Sequence, residues 1–177
     1  MRNKMDIVTK KGDRGKTFLL SGLKVSKDDI RVEALGFLDE LSSFLGFAKS
    51  QIKCSRRKKI AADLQADLHI IGSEIATDKS GHARLKNIID LGKISYIERE
   101  IGSLQKKCKI DNFSYSGLNS LSAMLDITRA VARRMERIAV ALNKKGFLYN
   151  KNIIVYLNRL SDLIFVLARS FEPNAGK

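Results

Sequence analysis

The sequence has little of what interrupts a helix. It contains one proline in 177 residues, Pro173, and its 12 glycines are not gathered into a linker. Proline ends or kinks a helix because it lacks an N–H and clashes with the preceding turn. We therefore expect long uninterrupted helices in one domain, residues 1–177, since this length suits a single core.

Other absences limit the functional classes. The two cysteines, Cys54 and Cys108, are far apart, so no disulfide framework is expected and a reducing, cytoplasmic location is favoured. Residues 1–9 lack the apolar core of a signal peptide, and no apolar run approaches the ~20 residues of a membrane span. His69 and His82 have no partners at metal-ligand spacing, so no protein metal ligands are predicted. No nucleophile–base pair of the hydrolase kind is present either.

Positive charge, by contrast, is in excess, with a formal net charge of +14. Such an excess suits nucleic acid, an anionic membrane surface or a polyphosphate ligand, although lysine pairs on solvated faces account for much of it. A basic helical module that binds RNA or DNA is the competing functional class. Against it, the chain has no tryptophan and no recognised nucleic-acid motif.

Apolar residues recur at steps of three and four in five segments, which indicates amphipathic helices. The predicted helices span residues 29–51, 55–77, 90–107, 118–144 and 151–171. The pattern is clearest in the fourth, where it runs without a miss from Leu118 to Leu142. We predict an all-α fold, an antiparallel bundle of five helices over residues 29–171. An extended N-terminal loop segment, residues 1–28, precedes it, with almost no strand.

The loop of residues 9–17 ends in Gly15-Lys16-Thr17, which invites comparison with a P-loop. A P-loop needs a glycine at position 10, where this chain has Lys10, and a strand before and a helix after it. The standard P-loop is therefore rejected. A glycine-bearing loop with several cations can still offer N–H groups and positive charge to an anion. Taken alone, the loop fits an unstructured basic N-terminus better than a binding site.

A second cationic feature lies on the fourth predicted helix. Arg129, Arg133, Glu136 and Arg137 follow one another at steps of four, three and one, so they form one stripe. The stripe borders the apolar face, where unpaired cations are costly to bury. A phosphate-binding stripe is about as well supported as a solvated face in which Glu136 pairs with its arginine neighbours.

Three polar residues lie on or near apolar faces. Asp39 borders the apolar face of the first predicted helix and needs a cation, for which the arginine stripe, within the chain or from another subunit, is the obvious source. Asn158 and Asp162 lie in a mostly apolar stretch, either as a hydrogen-bonded core pair or as ligand contacts.

Three groups of residues together resemble the corrinoid adenosyltransferases of the propanediol-utilisation type. They are TKKGDRGKT (9–17) with KDDIRVEA (27–34) and LDEL (38–41), then RAVARRMER (129–137), then YLNRLSD (156–162). The resemblance implies a ferritin-like bundle that assembles as a homotrimer with active sites between subunits. It implies transfer of the 5′-deoxyadenosyl group of ATP to the cobalt of cob(I)alamin, with Mg²⁺ present and triphosphate released. It also implies a corrinoid reductase and an adenosylcobalamin-dependent enzyme as partners.

The same resemblance assigns roles to residues of this sequence. Arg133 and the pair formed by Asp39 and Arg129 across the subunit interface are expected in catalysis, and Phe113 against the corrinoid. The expected ATP-binding residues are Thr9, Lys10, Lys11, Gly12, Gly15, Thr17, Lys27, Arg133, Arg134, Glu136, Arg137 and Asn158. Asp126 departs from the family pattern, which usually has histidine there, and so do Ser116 and Leu118. A family member that binds and delivers adenosylcobalamin with weak catalysis is a third alternative.

Overall fold

A two-stranded hairpin precedes six helices in this computed structural model, which describes residues 8, 10, 12–106, 108 and 116–172. The antiparallel strands pair Lys16 with Ser26 and Phe18 with Lys24. The elements are β1 (Lys16–Phe18), β2 (Lys24–Ser26), α1 (Ile30–Gln51), α2 (Ser55–Ile75), α3 (Lys79–His82), α4 (Leu91–Gln105), α5 (Ser120–Lys144) and α6 (Asn152–Arg169). The five long helices coincide with the five predicted ones to within two residues at each end.

The long helices pack in the order α2, α1, α5, α6, α4. Side chains of α2 and α4 close the bundle, since Arg56 on α2 bonds Glu100 and Ser103 on α4. Residues at three- and four-residue steps on α5 are fully buried, namely Leu125, Ala132, Met135, Ala139 and Leu142. The predicted apolar face of this helix is therefore confirmed, and its burial supplies much of the driving force for folding.

Polar side chains cap the starts of α1 and α5. Asp29 caps α1 by accepting a hydrogen bond from the Arg31 amide, and it also accepts from the Arg31 side chain at 2.9 Å. That side-chain bond holds the pKa of Asp29 below its ordinary value. Asn119 and Ser122 form a reciprocal capping box at the start of α5. Such caps satisfy N–H groups that have no partner within the helix.

The structure corrects two expectations. The predicted count of five helices omits α3, a four-residue turn of helix in the expected connection, where Asp78 accepts from the Gly81 amide. The N-terminal segment is not irregular throughout, because β1 and β2 pair around a turn at Gly22, whose φ of 83° suits glycine. Val25 and the adjoining Leu19 are buried, which explains why the hairpin stays against the helices.

A buried carboxylate fastens one end of the bundle. Glu74, near the end of α2, is 2% exposed and accepts hydrogen bonds from the Ile89 amide at 2.7 Å and Asn150 Nδ2 at 2.9 Å. His82 Nε2 lies 2.8 Å from the same carboxylate. One side chain thus joins α2, α3, the segment before α4 and the connection from α5 to α6. His82, which has no partner at metal-ligand spacing in the sequence, is part of this cluster.

A second buried acid joins three helices. Asp67 on α2 accepts from Tyr156 on α6 at 2.9 Å and from Lys93 on α4 at 2.5 Å. Burial, followed by the charge of Asp67, raises the pKa of the Tyr156 hydroxyl, so this hydroxyl stays a donor. Both acids follow the general pattern that buried charges keep several hydrogen-bond partners.

The Glu74 cluster makes a testable contribution to stability. We expect Glu74→Gln to lower the free energy of unfolding by about 2–4 kcal/mol, because an amide cannot accept from every donor that the carboxylate holds. Urea unfolding followed by circular dichroism measures this. The control is Glu98→Gln, which breaks the exposed pair between Glu98 and Arg159 and should cost under ~1 kcal/mol. Equal losses in the two variants would contradict the stabilising role of the cluster.

Candidate active site

The N-terminal loop is a compact turn closed by the start of β1 and the end of β2. Gly15 has a φ of 69°, its N–H bonds the Gly12 carbonyl at 3.1 Å, and its carbonyl accepts from the Lys27 amide at 2.9 Å. A Cβ on Gly12 would lie 3.0 Å from Lys27 Nζ, so the Lys27 ammonium lies directly over the loop backbone. Thr17 lies in β1, so the Gly-Lys-Thr sequence leads into a strand, and the rejection of a P-loop agrees with the structure.

The loop gathers cations that no described carboxylate neutralises. Within residues 12–106 and 116–172, no carboxylate forms an ion pair with Lys16 or Lys27. Lys10, at the other side of the turn, adopts a φ of 56°, a left-handed conformation that costs energy in a residue with a side chain. Two more expected ATP ligands, Thr9 and Lys11, lie outside the described residues.

The arginine stripe lies against α6 only in part, since Arg129 contacts Phe165 and Glu136 contacts Asn158. Arg133 and Arg137 are exposed, and no described carboxylate forms an ion pair with either. Glu136 turns to α6, where its Oε1 accepts from Asn158 Nδ2 at 3.0 Å. The alternative in which Glu136 pairs with its arginine neighbours is therefore not what the structure shows. Arg137 Nη1 donates to the Arg133 carbonyl at 3.2 Å, which leaves its other N–H donors and those of Arg133 available. Two guanidinium groups without a carboxylate partner, beside the Glu136–Asn158 pair, form a surface suited to phosphate oxygens.

Asn158 and Asp162 do not act as a pair. Asn158 bonds Glu136, and its Oδ1 accepts from Arg159 at 2.6 Å, whereas Asp162 is exposed. The interpretation of the two as a core hydrogen-bonded pair is wrong. The structure instead joins Asn158 to Glu136 of the arginine stripe.

Arg134 lies apart from the stripe. Successive residues of a helix are about 100° apart around its axis, so Arg134 points towards α1 while Arg133 does not. Its Nη2 lies 2.6 Å from Glu40 Oε2, and its guanidinium carbon lies 4.6 Å from the Phe37 ring centroid. Within one chain Arg134 is therefore already paired, unlike the other arginines expected to bind ATP.

Asp39 and Arg129 do not meet within the chain. Asp39 is exposed and lines a groove of about 340 Å³ between α1 and α2, together with Leu20 of the hairpin connection. Arg129 lies on α5 near α6, with Nε 3.8 Å from Asp126 Oδ1 and the guanidinium 5.9 Å from the Phe165 centroid. Phe113 lies outside the described residues.

The candidate residues thus fall on two surfaces. The loop surface holds Gly12, Gly15, Thr17 and Lys27. Asp39 is assigned to it because Asp39 and Leu20 of the hairpin line the same groove. The arginine surface holds Arg129, Arg133, Glu136, Arg137 and Asn158. No group of three metal-ligating side chains lies among the described residues, and no described helix is long and apolar enough to cross a membrane.

Sequence reasoning missed a buried ionic cluster behind the arginine surface. Asp126 is 6% exposed, and its Oδ2 lies 2.5 Å from Arg169 Nη2, which is also 3.0 Å from Glu172 Oε1. The sequence carried a partial signal, because Asp126 precedes Arg129 by three residues and so shares its side of the helix. Its second partner, Arg169, could not be inferred from spacing, since it lies on another helix.

A mostly helical bundle with a short hairpin, whose described surfaces carry exposed cations, defines a class of protein suited to anionic ligands. Comparison with known proteins narrows this class. The chain matches the Cobalamin adenosyltransferase family over residues 7–171, and it belongs to that family.

Individual relatives agree along the chain. A corrinoid adenosyltransferase of Citrobacter freundii is 37% identical over 167 residues, covering 94% of each chain. One from Bacillus subtilis is 31% identical, covering 97% of this chain and 89% of the relative. Among solved structures, a variant PduO-type ATP:corrinoid adenosyltransferase from Lactobacillus reuteri, complexed with cobalamin and ATP, superposes with a TM-score of 0.84 at 28% identity, covering 93% of this chain and 92% of that one.

The arginine surface predicts polyphosphate binding that depends on Arg133. We expect Arg133→Ala to weaken the binding of inorganic triphosphate about 10- to 100-fold, as is typical when a charged hydrogen bond is lost. Isothermal titration calorimetry at fixed ionic strength measures this. The control, Arg99→Ala on α4, removes the same charge from a distant surface arginine that lies over Tyr96. Equal weakening in both variants would mean that only net charge attracts the anion.

Proposed function

We propose that this chain performs the reaction of its family, transfer of the 5′-deoxyadenosyl group of ATP to the cobalt of a reduced corrinoid with release of triphosphate. The observation that carries this proposal is the unpaired Arg133 and Arg137 beside the Glu136–Asn158 pair. Those residues match the second and third segments of the family resemblance. Membership of the family supports the reaction type. The two guanidinium groups without a carboxylate partner support a binding site for the triphosphate.

The reaction is a displacement at the 5′ carbon of ATP. The Co(I) centre of the corrinoid substrate donates its electron pair to that carbon, and the bond from the carbon to the triphosphate oxygen breaks. Negative charge grows on the leaving triphosphate in the transition state, so fixed cations that touch it lower the barrier. Arg133 and Arg137 are suited to this role because they are not already neutralised by carboxylates of the described chain.

The loop surface is proposed to hold the rest of the nucleotide. Gly12 and Gly15 bring backbone close to the ligand, while Lys10, Thr17 and Lys27 add donors from one side. Thr9 and Lys11 extend this set, and Arg134 joins it if ligand binding draws it from Glu40. Phe113 is proposed to lie against the corrinoid and weaken its lower axial ligation.

Magnesium fits this site as an ion that accompanies the triphosphate. Mg²⁺ in nucleotide sites usually keeps several waters and takes one or two carboxylates besides phosphate oxygens. The described residues provide no cage of three ligating side chains, but Glu136 offers one carboxylate on the arginine surface. When bound, the ion would neutralise part of the charge on the leaving group.

The site is proposed to form between copies of the chain. Asp39 lies on the α2 side of α1, while Arg129 lies between α5 and α6, so one chain cannot bring them together without unfolding. In a homotrimer, the loop surface of one copy can meet the arginine surface of the next. Each interface would then pair Asp39 of one copy with Arg129 of the other. We further propose a cytoplasmic enzyme supplied by a corrinoid reductase and serving an adenosylcobalamin-dependent enzyme.

The activity is tested by mixing the protein with ATP, Mg²⁺ and chemically reduced cobalamin under anaerobic conditions. We expect the Co(I) spectrum to convert to that of adenosylcobalamin with one triphosphate released per turnover. Binding of adenosylcobalamin without turnover would instead support a carrier. Steeply salt-dependent binding of RNA or DNA with no spectral change would support the competing nucleic-acid module.

Formation of the site between copies is tested by mixing variants. Lys27→Ala impairs the loop surface and Arg133→Ala the arginine surface, so each variant alone should be nearly inactive. In each mixed trimer one interface of the three should combine two intact surfaces, so about a third of the activity should be recovered. Co-expression with two different tags and tandem purification isolates the mixed species. A mixed sample as inactive as its parents would show that both surfaces act within one chain.

A further inference from the structure

The buried cluster behind the arginine surface divides one carboxylate between two arginines. Asp126 Oδ2 pairs with Arg169 Nη2 at 2.5 Å. Its other oxygen, Oδ1, lies 3.8 Å from Arg129 Nε. The two oxygens thus face two different cations, one deep in the chain and one at the border of the arginine surface.

Arg169 does not depend on Asp126 alone. Glu172 Oε1 lies 3.0 Å from the same Nη2, so the cluster contains two carboxylates and two guanidinium groups. Burial raises the pKa of Glu172, and the nearby arginine charge opposes that rise. Because Glu172 also compensates Arg169, part of the negative charge of Asp126 is left to act on Arg129.

Arg129 faces Asp126 on one edge and is open on the other. Its side chain is 34% exposed, and its Nε is buried without a hydrogen-bond partner, facing Asp126. Its guanidinium carbon lies 5.9 Å from the Phe165 centroid, and that of Arg169 lies 5.2 Å from the same ring. Neither terminal nitrogen of Arg129 is hydrogen-bonded within the described residues. A guanidinium group can bind two carboxylates at once, because it carries five N–H donors in a fixed plane.

We propose that Asp126 is a positioning residue that sets the direction of Arg129 and thereby prepares its terminal nitrogens for Asp39 of the partner subunit. The inference rests on the proposed function, since that contact exists only in the assembled site. Asp126 touches neither ATP nor corrinoid in this proposal. It acts on the reaction through Arg129. Because Asp126 already restricts the orientation of this side chain, less conformational entropy is lost when the subunits meet.

The test compares Asp126→Asn with Glu172→Gln. Each removes one carboxylate from Arg169, so both should lower the melting temperature to a similar extent. Only Asp126→Asn should reduce kcat/KM and weaken assembly, each by about tenfold, with the loss mainly in kcat if the nucleotide contacts are kept. Assembly is measured by mass photometry over a dilution series. Asp126→Ser, with the same expected result, serves if the asparagine variant does not fold.

A double-mutant cycle with Asp39→Asn completes the test. If Asp126 acts through Arg129 on that contact, the double variant should be no worse than Asp39→Asn alone, whereas independent effects would add. Full additivity, or equal loss of activity in Glu172→Gln, overturns the positioning role and leaves the proposed function standing. An Asp39→Asn variant with unchanged assembly and rate would overturn the shared-site arrangement itself, and the inference with it.

Discussion

The apolar face of α5 fixes where the charged groups of the candidate site lie. Because Leu125, Ala132, Met135 and Ala139 are all buried, the helix cannot rotate without exposing them to water. Every other side chain of α5 then has a set direction. Arg129 falls beside α6, Arg134 falls beside α1, and Arg133 and Arg137 are exposed. The packing of α5 thereby separates four arginines that are neighbours in sequence. Arg134 forms a close ion pair with Glu40, whereas the other three keep N–H donors available.

Helix periodicity made most of the fold predictable, since three- and four-residue spacing reports the direction of side chains around one axis. It did not show which members of the stripe would lie against another helix. Arg129 and Glu136 contact α6, whereas Arg133 and Arg137 are exposed, and this division depends on contacts that are distant in sequence. Arg134 illustrates the limit. The resemblance grouped it with Arg133, and only the fold showed that its side chain points towards Glu40. The hairpin was missed for a related reason, since strands of three residues carry too little pattern to distinguish from a loop.

Buried acids were the other features that sequence could not resolve. Glu74, Asp67 and Asp126 all lie among apolar residues of their helices, which signals that each needs partners, but the partners come from three other parts of the chain. Glu74 takes an amide from before α4 and a side chain from the connection before α6. Each such acid therefore specifies a tertiary arrangement rather than a local one. Removing a donor from any of them leaves charge in a poorly solvated position, which is costly.

The free guanidinium groups of the stripe have a thermodynamic consequence for the chain without ligand. Like charges held on one face repel, so the empty protein gives up stability that a neutral α5 would retain. Binding a polyanion there relieves the repulsion and acts only on the folded state, so occupancy should raise the folded fraction by mass action. The folded state is therefore more stable with its ligand bound than without it. Functional surfaces often lower the stability of the empty protein in this way.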